Sequence, residues 1–106
     1  MEYRRLGRSG LKISSLVLGT MNFGNPTERG EASRIVDAAI EAGMNMFDCA
    51  DIYADGESER ILGEALARDG KRGDVFVSTK VFMRSDPGPN DLGNSKYHII
   101  HNYPQL

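Results

Sequence analysis

The sequence predicts an α/β protein in which short strands alternate with amphipathic helices. Three short apolar runs are separated by two stretches whose apolar residues recur at the three- and four-residue spacing of a helix. Each of these two stretches ends at a glycine, the residue that most often closes a helix. Such alternation is typical of βαβ units with right-handed crossovers, and it predicts a parallel three-stranded sheet in sequential order.

Composition and charge exclude several classes of protein. The chain has 106 residues, with 13 Lys and Arg against 15 Asp and Glu, and one cysteine. Its length suits one small domain, and a net charge of −2 provides no basic surface for nucleic acid or an anionic membrane. No apolar run approaches the roughly 20 residues that span a bilayer, and one cysteine cannot form an internal disulfide. We therefore expect a cytoplasmic protein without a nucleic-acid or membrane partner.

The N-terminal segment predicts a β-hairpin followed by the first strand of the sheet. Residues 3–6 and 11–13 flank a Gly- and Ser-rich turn at 7–10. Residues 16–18 are a compact apolar run that ends at Gly19, and such a run suits a strand buried on both faces.

The first helix and the second strand come next. Thr27 is predicted to cap the helix, because two glutamates just beyond it suit the positive helix end. Gly43 is predicted to end the helix in a left-handed conformation. Residues 44–48 then predict a strand that ends at Asp48. The predicted buried face of the helix consists of Ile35, Val36, Ala39 and Ile40.

A second helix is predicted from about Glu57 to Asp69, with Gly70 as its stop. Glu59 and Glu64 are placed on the face opposite the apolar one. The predicted apolar face consists of Ile61, Leu62, Ala65 and Leu66.

The third strand and the start of a last helix complete the pattern. Residues 75–80 predict a strand that ends at Lys80, and a loop follows over 81–94. Ser95 is predicted to cap a helix that runs through Asn102, because Pro104 cannot continue it.

Three polar residues fall where a parallel sheet places an active site. Asp48 and Lys80 end successive strands, which lie about 4.8 Å apart when paired, and Tyr53 follows Asp48 by five residues. A lysine ammonium favours the phenolate and so lowers the pKa of a neighbouring tyrosine, while a carboxylate keeps the lysine charged. Tyr53 could thus act as a general acid or base. Spacing alone leaves open the commoner alternative, a structural ion pair beside a packing tyrosine.

Other chemistry-bearing residues predict no further site. His98 and His101 are spaced to bind a metal together, but no carboxylate or thiolate accompanies them. We therefore expect an ordinary surface pair and no metal site. Cys49 is predicted to be a small buried residue, because no histidine is placed to activate it.

The motifs around these residues resemble those of a known family. Residues 47–53 (FDCADIY) and 56–66 (GESERILGEAL) closely resemble the signature of the aldo-keto reductases. Residues 3–14 and 18–21 are similar to the branch that includes potassium-channel β-subunits and many bacterial reductases. Residues 77–80 (VSTK) resemble the family's lysine strand, so the motifs follow in the expected order over most of residues 3–102.

The resemblance implies a (β/α)₈ barrel whose bottom is plugged by the hairpin. It also implies reduction of a small aldehyde or ketone by hydride from NADPH. Asp48, Tyr53 and Lys80 match three members of a catalytic tetrad, with Tyr53 as proton donor. The cofactor-binding residues that it implies are Gly19, Thr20, Met21 and Asp48.

The chain departs from the family after its third strand. The fourth tetrad member is a histidine at the end of the next strand, and a barrel needs roughly 250 residues. We expect a single partial domain: a hairpin at 1–14, the first βα units at 15–102 and a divergent tail at 103–106. Two hypotheses follow: a truncated reductase that is inactive alone, or a non-catalytic fragment that associates through exposed strand edges with itself or a full-length relative.

Overall fold

A computed structural model describes residues 1–102 of the chain, apart from the side chain of residue 69. Strands β1 (Tyr3–Arg5) and β2 (Lys12–Ser14) form an antiparallel hairpin, as predicted. The turn between them includes Gly7 at φ +56°, a conformation that glycine adopts without strain. Residues 103–106, with the predicted tail and the helix stop at Pro104, lie outside the described residues.

A separate parallel sheet confirms the predicted strand order. Its strands, in the spatial order β3-β4-β5, are β3 (Leu18–Gly19), β4 (Met46–Asp48) and β5 (Phe76–Ser78). The register pairs Gly19 with Asp48, and Asp48 with Ser78. The carboxyl ends of all three strands therefore meet at one edge of the sheet.

The strands are shorter than predicted. Leu16 and Val17 precede β3 and are 56% and 46% exposed, so the prediction that they are buried on both faces is wrong. An apolar run does not reveal how many neighbours its strand has, and among residues 1–102 β3 pairs with β4 alone. At the other edge, the ladder ends at Ser78, so Thr79 and Lys80 follow β5 instead of belonging to it.

Three helices accompany the sheet: α1 (Arg29–Glu41), α2 (Glu57–Ala67) and α3 (Lys96–Asn102). The apolar faces of α1 and α2 share a core with β4, which confirms the predicted faces. None of the helices in the described part of the chain is long and apolar enough to span a membrane. The largest fully buried apolar side chains of the core are Phe47, Leu62, Leu66 and Val36.

The helix ends agree only in part with the predictions. Gly43 follows α1 at φ +94°, and the Ser95 hydroxyl accepts a hydrogen bond from the His98 amide at 3.0 Å, both as predicted. The residue that caps α1 is Glu28 and not Thr27, because a tight backbone turn with Asn22 holds Thr27 before the helix. Helix α2 ends at residue 67, two residues early, and a 3₁₀ stretch over 68–74 leads to β5.

Candidate active site

Asp48 is the centre of a hydrogen-bonded group at the carboxyl edge of the sheet. Its Oδ1 accepts a hydrogen bond from the Ser78 hydroxyl at 2.6 Å, and its Oδ2 accepts one from Lys80 Nζ at 2.8 Å. Partial burial would raise the pKa of Asp48, but the hydrogen bonds from Lys80 and Ser78 and the charge of Lys80 together lower it. Asp48 is therefore held as a carboxylate facing the ammonium.

Lys80 is held at both its backbone and its side chain. Its carbonyl accepts a hydrogen bond from the Asp51 amide at 3.1 Å, and its Nζ donates a second one to the Cys49 carbonyl at 2.8 Å. Burial alone would lower the pKa of Lys80, but Asp48, with a smaller contribution from Tyr53, raises it. Because the Asp48 and Lys80 side chains are 37% and 53% exposed, water screens the pair, which orients the ammonium more than it stabilises the fold.

Tyr53 lies beside Lys80, directly before a left-handed turn that leads into α2. Its ring is half-buried against the core, and Lys80 Nζ lies 5.3 Å from the ring centroid, within range of a cation–π interaction. Ala54 and Asp55 have φ values of +50° and +54°, and Gly56 at φ +90° leads directly into α2. The structure thus brings Asp48, Tyr53 and Lys80 together on one edge of the sheet.

The predicted cofactor-binding residues follow β3 at the same edge. A Cβ built on Gly19 would have no other atom within 4 Å, so space is open beside Asp48. Thr20 is buried, and its hydroxyl donates to the Asp48 carbonyl at 3.0 Å. Met21 is 64% exposed. Gly19 and Met21 are therefore accessible to a cofactor, whereas the Thr20 side chain is not; the cofactor-binding role stays a prediction.

A sequence model of the aldo/keto reductase family matches residues 15–104. This chain belongs to the aldo/keto reductase family. Its relatives include a probable voltage-gated potassium channel subunit beta of Arabidopsis thaliana, 44% identical over 102 residues. The uncharacterized oxidoreductase YrpG of Bacillus subtilis (strain 168) is 47% identical over 108 residues.

The solved structures agree with the family assignment. The holo form of aldo-keto reductase AKR11C1 from Bacillus halodurans superimposes with a TM-score of 0.84 at 36% identity, over 99% of this chain and 35% of that one. The two relatives above match 94% and 93% of this chain, but only 31% and 33% of their own lengths. The chain therefore spans about a third of these relatives, and its open sheet is the N-terminal part of a (β/α)₈ barrel with an oxidoreductase fold.

Two polar residues of the site region, Ser78 and Glu59, are not identified by the sequence analysis. Ser78, which bonds Asp48, lies two residues before Lys80, so strand alternation places both side chains on one face. Glu59 was predicted on the outer face of α2, but it is 1% exposed. Its spacing from Leu62 and Leu66, three and seven residues, already places it on the apolar face.

The prediction that His98 and His101 form an ordinary surface pair is wrong for His98. His98 is fully buried, and both ring nitrogens have partners; only His101 is exposed, with its ring stacked on Tyr97 at 4.5 Å. A loop carbonyl and two polar side chains satisfy the imidazole, which therefore joins the loop after β5 to α3. The contacts of its ring are Gly93 O at 2.8 Å, Asn102 Nδ2 at 3.0 Å and Ser85 Oγ at 3.2 Å. Cys49 is buried, as predicted.

Proposed function

We propose that the chain carries the proton-transfer part of the active site of an NAD(P)H-dependent oxidoreductase that reduces a small aldehyde or ketone. The observation that supports the proposal is the Lys80 ammonium, which is bonded to Asp48 and lies over the ring of Tyr53. An ordinary surface ion pair does not require a phenol beside it, at the edge of a parallel sheet where barrel enzymes place catalytic groups.

In this proposal Tyr53 is the proton donor. Its phenol transfers a proton to the substrate carbonyl oxygen, and the Lys80 ammonium stabilises the negative charge left on the phenolate. Asp48 and the Cys49 carbonyl hold Lys80 in place by two hydrogen bonds of 2.8 Å. The geometry is set before substrate binds, so little reorganisation is needed.

The residues at the end of β3 fit a flat cofactor ring beside this group. Gly19 leaves open space next to Asp48, and the exposed Met21 side chain offers an apolar surface. Gly19, Met21 and Asp48 would contact the nicotinamide end. The Thr20 hydroxyl would hold the backbone of Asp48 through its hydrogen bond to the Asp48 carbonyl. When bound, the cofactor supplies the hydride, and NADPH is the form that the family resemblance implies.

A graft into the B. halodurans relative tests this proposal. Residues 15–102 of this chain replace the matching third of that reductase, and NADPH oxidation is followed with a simple aldehyde. We expect turnover by the graft and a loss of about 10²- to 10⁴-fold in kcat for Tyr53→Phe, the usual contribution of a general acid. Tyr97→Phe, which removes an exposed phenol, is the control. A folded graft whose turnover survives Tyr53→Phe would overturn the proposal.

The 106-residue chain by itself is expected to show no turnover. The described residues supply three parallel strands besides the hairpin, whereas the barrel that encloses such a site has eight. NADPH oxidation by the purified chain that disappears in Tyr53→Phe would contradict this expectation while supporting the role of Tyr53.

A second proposal is that the chain is a non-catalytic fragment that associates through its open sheet edges. Strands β3 and β5 each pair on one side only within residues 1–102, and Leu16 and Val17 are exposed beside β3. Size-exclusion chromatography should then show dimers or larger species, or a complex with a full-length relative. A compact, cooperatively melting monomer would contradict it.

A further inference from the structure

The buried carboxylate of Glu59 has no part in the proton-transfer group described above. Glu59 lies in the first turn of α2 and is 1% exposed. Its neighbours on the same face of the helix are the buried side chains of Leu62 and Leu66, so a carboxylate is unexpected at this position. Its Oε1 accepts a hydrogen bond from the Thr79 hydroxyl at 2.5 Å, while its Oε2 has no hydrogen-bond partner among the described residues. A half-paired buried carboxylate costs stability, so packing alone does not account for it.

The surroundings of Glu59 also disfavour its charged form. Burial raises the pKa of Glu59, and the charge of Asp51 raises it further, against opposing contributions from the Thr79 hydrogen bond and from Arg60. An apolar side chain would fill the same space in the core without this penalty. What distinguishes a carboxylate at this position is its hydrogen bond to Thr79.

Thr79 is the link between α2 and the candidate active site. The β4–β5 ladder ends at Ser78, and beyond it the Lys80 carbonyl still accepts a hydrogen bond from the Asp51 amide, to which the Thr79 side chain adds a contact with α2. Successive side chains of an extended chain point to opposite faces, and Thr79 bonds to the helix layer while Lys80 bonds to Asp48 on the other side. The Thr79 contact therefore acts together with the Asp51 hydrogen bond in holding the backbone from which Lys80 extends.

We propose that Glu59 is a positioning residue for Lys80: through the Thr79 hydroxyl it anchors the residues after β5 to α2 and so holds Lys80 against Asp48 and Tyr53. The inference rests on the proposed function, since it concerns the placement of the lysine in that site. Glu59 itself touches none of the three residues that would act on the substrate.

The test follows the position of Lys80 in the 106-residue chain by NMR. Because Nζ lies 5.3 Å from the Tyr53 ring centroid, the ε-methylene protons of Lys80 should show a ring-current shift, and Tyr53→Leu defines its absence. Thr79→Val removes the hydroxyl at an exposed position while keeping the shape of the side chain. We expect it to abolish the shift and leave the methyl signals of Leu62 in the core unchanged.

Conservative variants separate positioning from general stability. Thr79→Ser keeps the donor and Glu59→Gln keeps the acceptor, so both should retain the Lys80 shift, whereas Glu59→Leu should lose it. Thr79→Val leaves the Glu59 carboxylate without its hydrogen-bond partner. If that unfolds the chain, the double variant Glu59→Gln with Thr79→Val is used, because it removes the charge. The double variant is expected to lose the Lys80 shift. Thr79→Val with the shift intact, or Thr79→Ser with the shift lost, would overturn the inference.

The outcome is independent of turnover. An active Tyr53→Phe graft would overturn the proposed function and leave the effect of Glu59 on Lys80 measurable. An unchanged Lys80 shift in the Thr79 variants would overturn the positioning role, whatever the graft does.

Discussion

At the scale of single residues, the candidate site contains groups in conformations and surroundings that cost free energy. Ala54 and Asp55 adopt left-handed backbone angles without being glycine, and Glu59 is a carboxylate in the core. Such features persist where the surrounding structure imposes them, and they concentrate at functional sites. Each can be tested by a substitution that removes the cost without touching Tyr53 or Lys80.

Ala54→Gly should stabilise the chain. At φ +50° alanine is strained and glycine is not, so we expect the free energy of unfolding to rise by about 1 kcal/mol in urea denaturation. Ala38→Gly, at an exposed position inside α1, is the matched control and should lower it by a similar amount. Equal destabilisation by both variants would show that residue 54 is not left-handed.

Glu59→Gln should change how stability depends on pH. The pKa of Glu59 is raised in the folded chain, so its carboxyl binds a proton more tightly folded than unfolded. Stability is therefore greatest below the unfolded pKa and falls as pH rises through the folded pKa. We expect Glu59→Gln to gain stability relative to the unmodified chain as the pH rises above 4.5, the ordinary pKa of a glutamate, measured by denaturation at each pH. Glu41→Gln, at the exposed end of α1, is the control. An equal gain in stability from Glu41→Gln would contradict the conclusion that burial raises the pKa of Glu59.

At the scale of elements, the N-terminal end of α2 is where the site is assembled. Ser58 bonds the end of β3, and Glu59 bonds the residue that follows β5. Arg29 of α1 bonds Glu57 at 2.6 Å, so the two helices are joined at the same end. The left-handed turn before α2 begins at Tyr53, so the start of this helix connects the residues that follow β3 and β5 with the phenol.

Ser58→Ala should loosen this junction. The buried hydroxyl donates to the Thr20 carbonyl at 2.6 Å, and its loss leaves that carbonyl with the Phe23 amide as its remaining partner; losing one such hydrogen bond costs roughly 0.5–1.5 kcal/mol. Thermal or urea denaturation measures the loss. Ser33→Ala, at a half-buried position of α1, is the control and should have little effect on stability. A similar loss of stability in both variants would contradict the role of the Ser58 hydroxyl in joining α2 to the residue after β3.

At the scale of the whole molecule, the described sheet is open on two sides. Strands β3 and β5 each leave a row of backbone groups without a strand partner within residues 1–102, and exposed apolar side chains flank β3. Natural proteins protect such edges with lysine, because a charge there opposes pairing with another chain. Association of the chain should therefore depend on this edge.

Val17→Lys should reduce self-association if the edge of β3 mediates it. The residue is 46% exposed, so a lysine can extend into water without loss of core packing. We expect a shift towards monomer in size-exclusion chromatography or sedimentation velocity. Leu11→Lys, 39% exposed on the separate hairpin, should not have this effect. An equal shift with both variants would assign the change to net charge alone.

Much of the fold could be predicted because its signals are local. The hairpin turn, the apolar faces of α1 and α2 and the glycine stop at Gly43 depend on residues a few positions apart. Asp48 could be placed at a strand end because it follows its apolar run directly, whereas Lys80 lies two residues beyond the end of β5. The cap at Thr27 was wrong by one residue, because a backbone turn with Asn22 competes with the helix for it.

What the sequence by itself determined is the order of elements, the family and the three residues that converge at the sheet edge, since these depend on periodicity and linear motifs. The tertiary structure was needed to show that His98 is buried, that Glu59 pairs with Thr79, and that Leu16 and Val17 are exposed. Burial depends on which distant segments pack over a residue. The partners of Glu59 and Asp48 lie 20 to 32 positions away along the chain, beyond the reach of any local pattern.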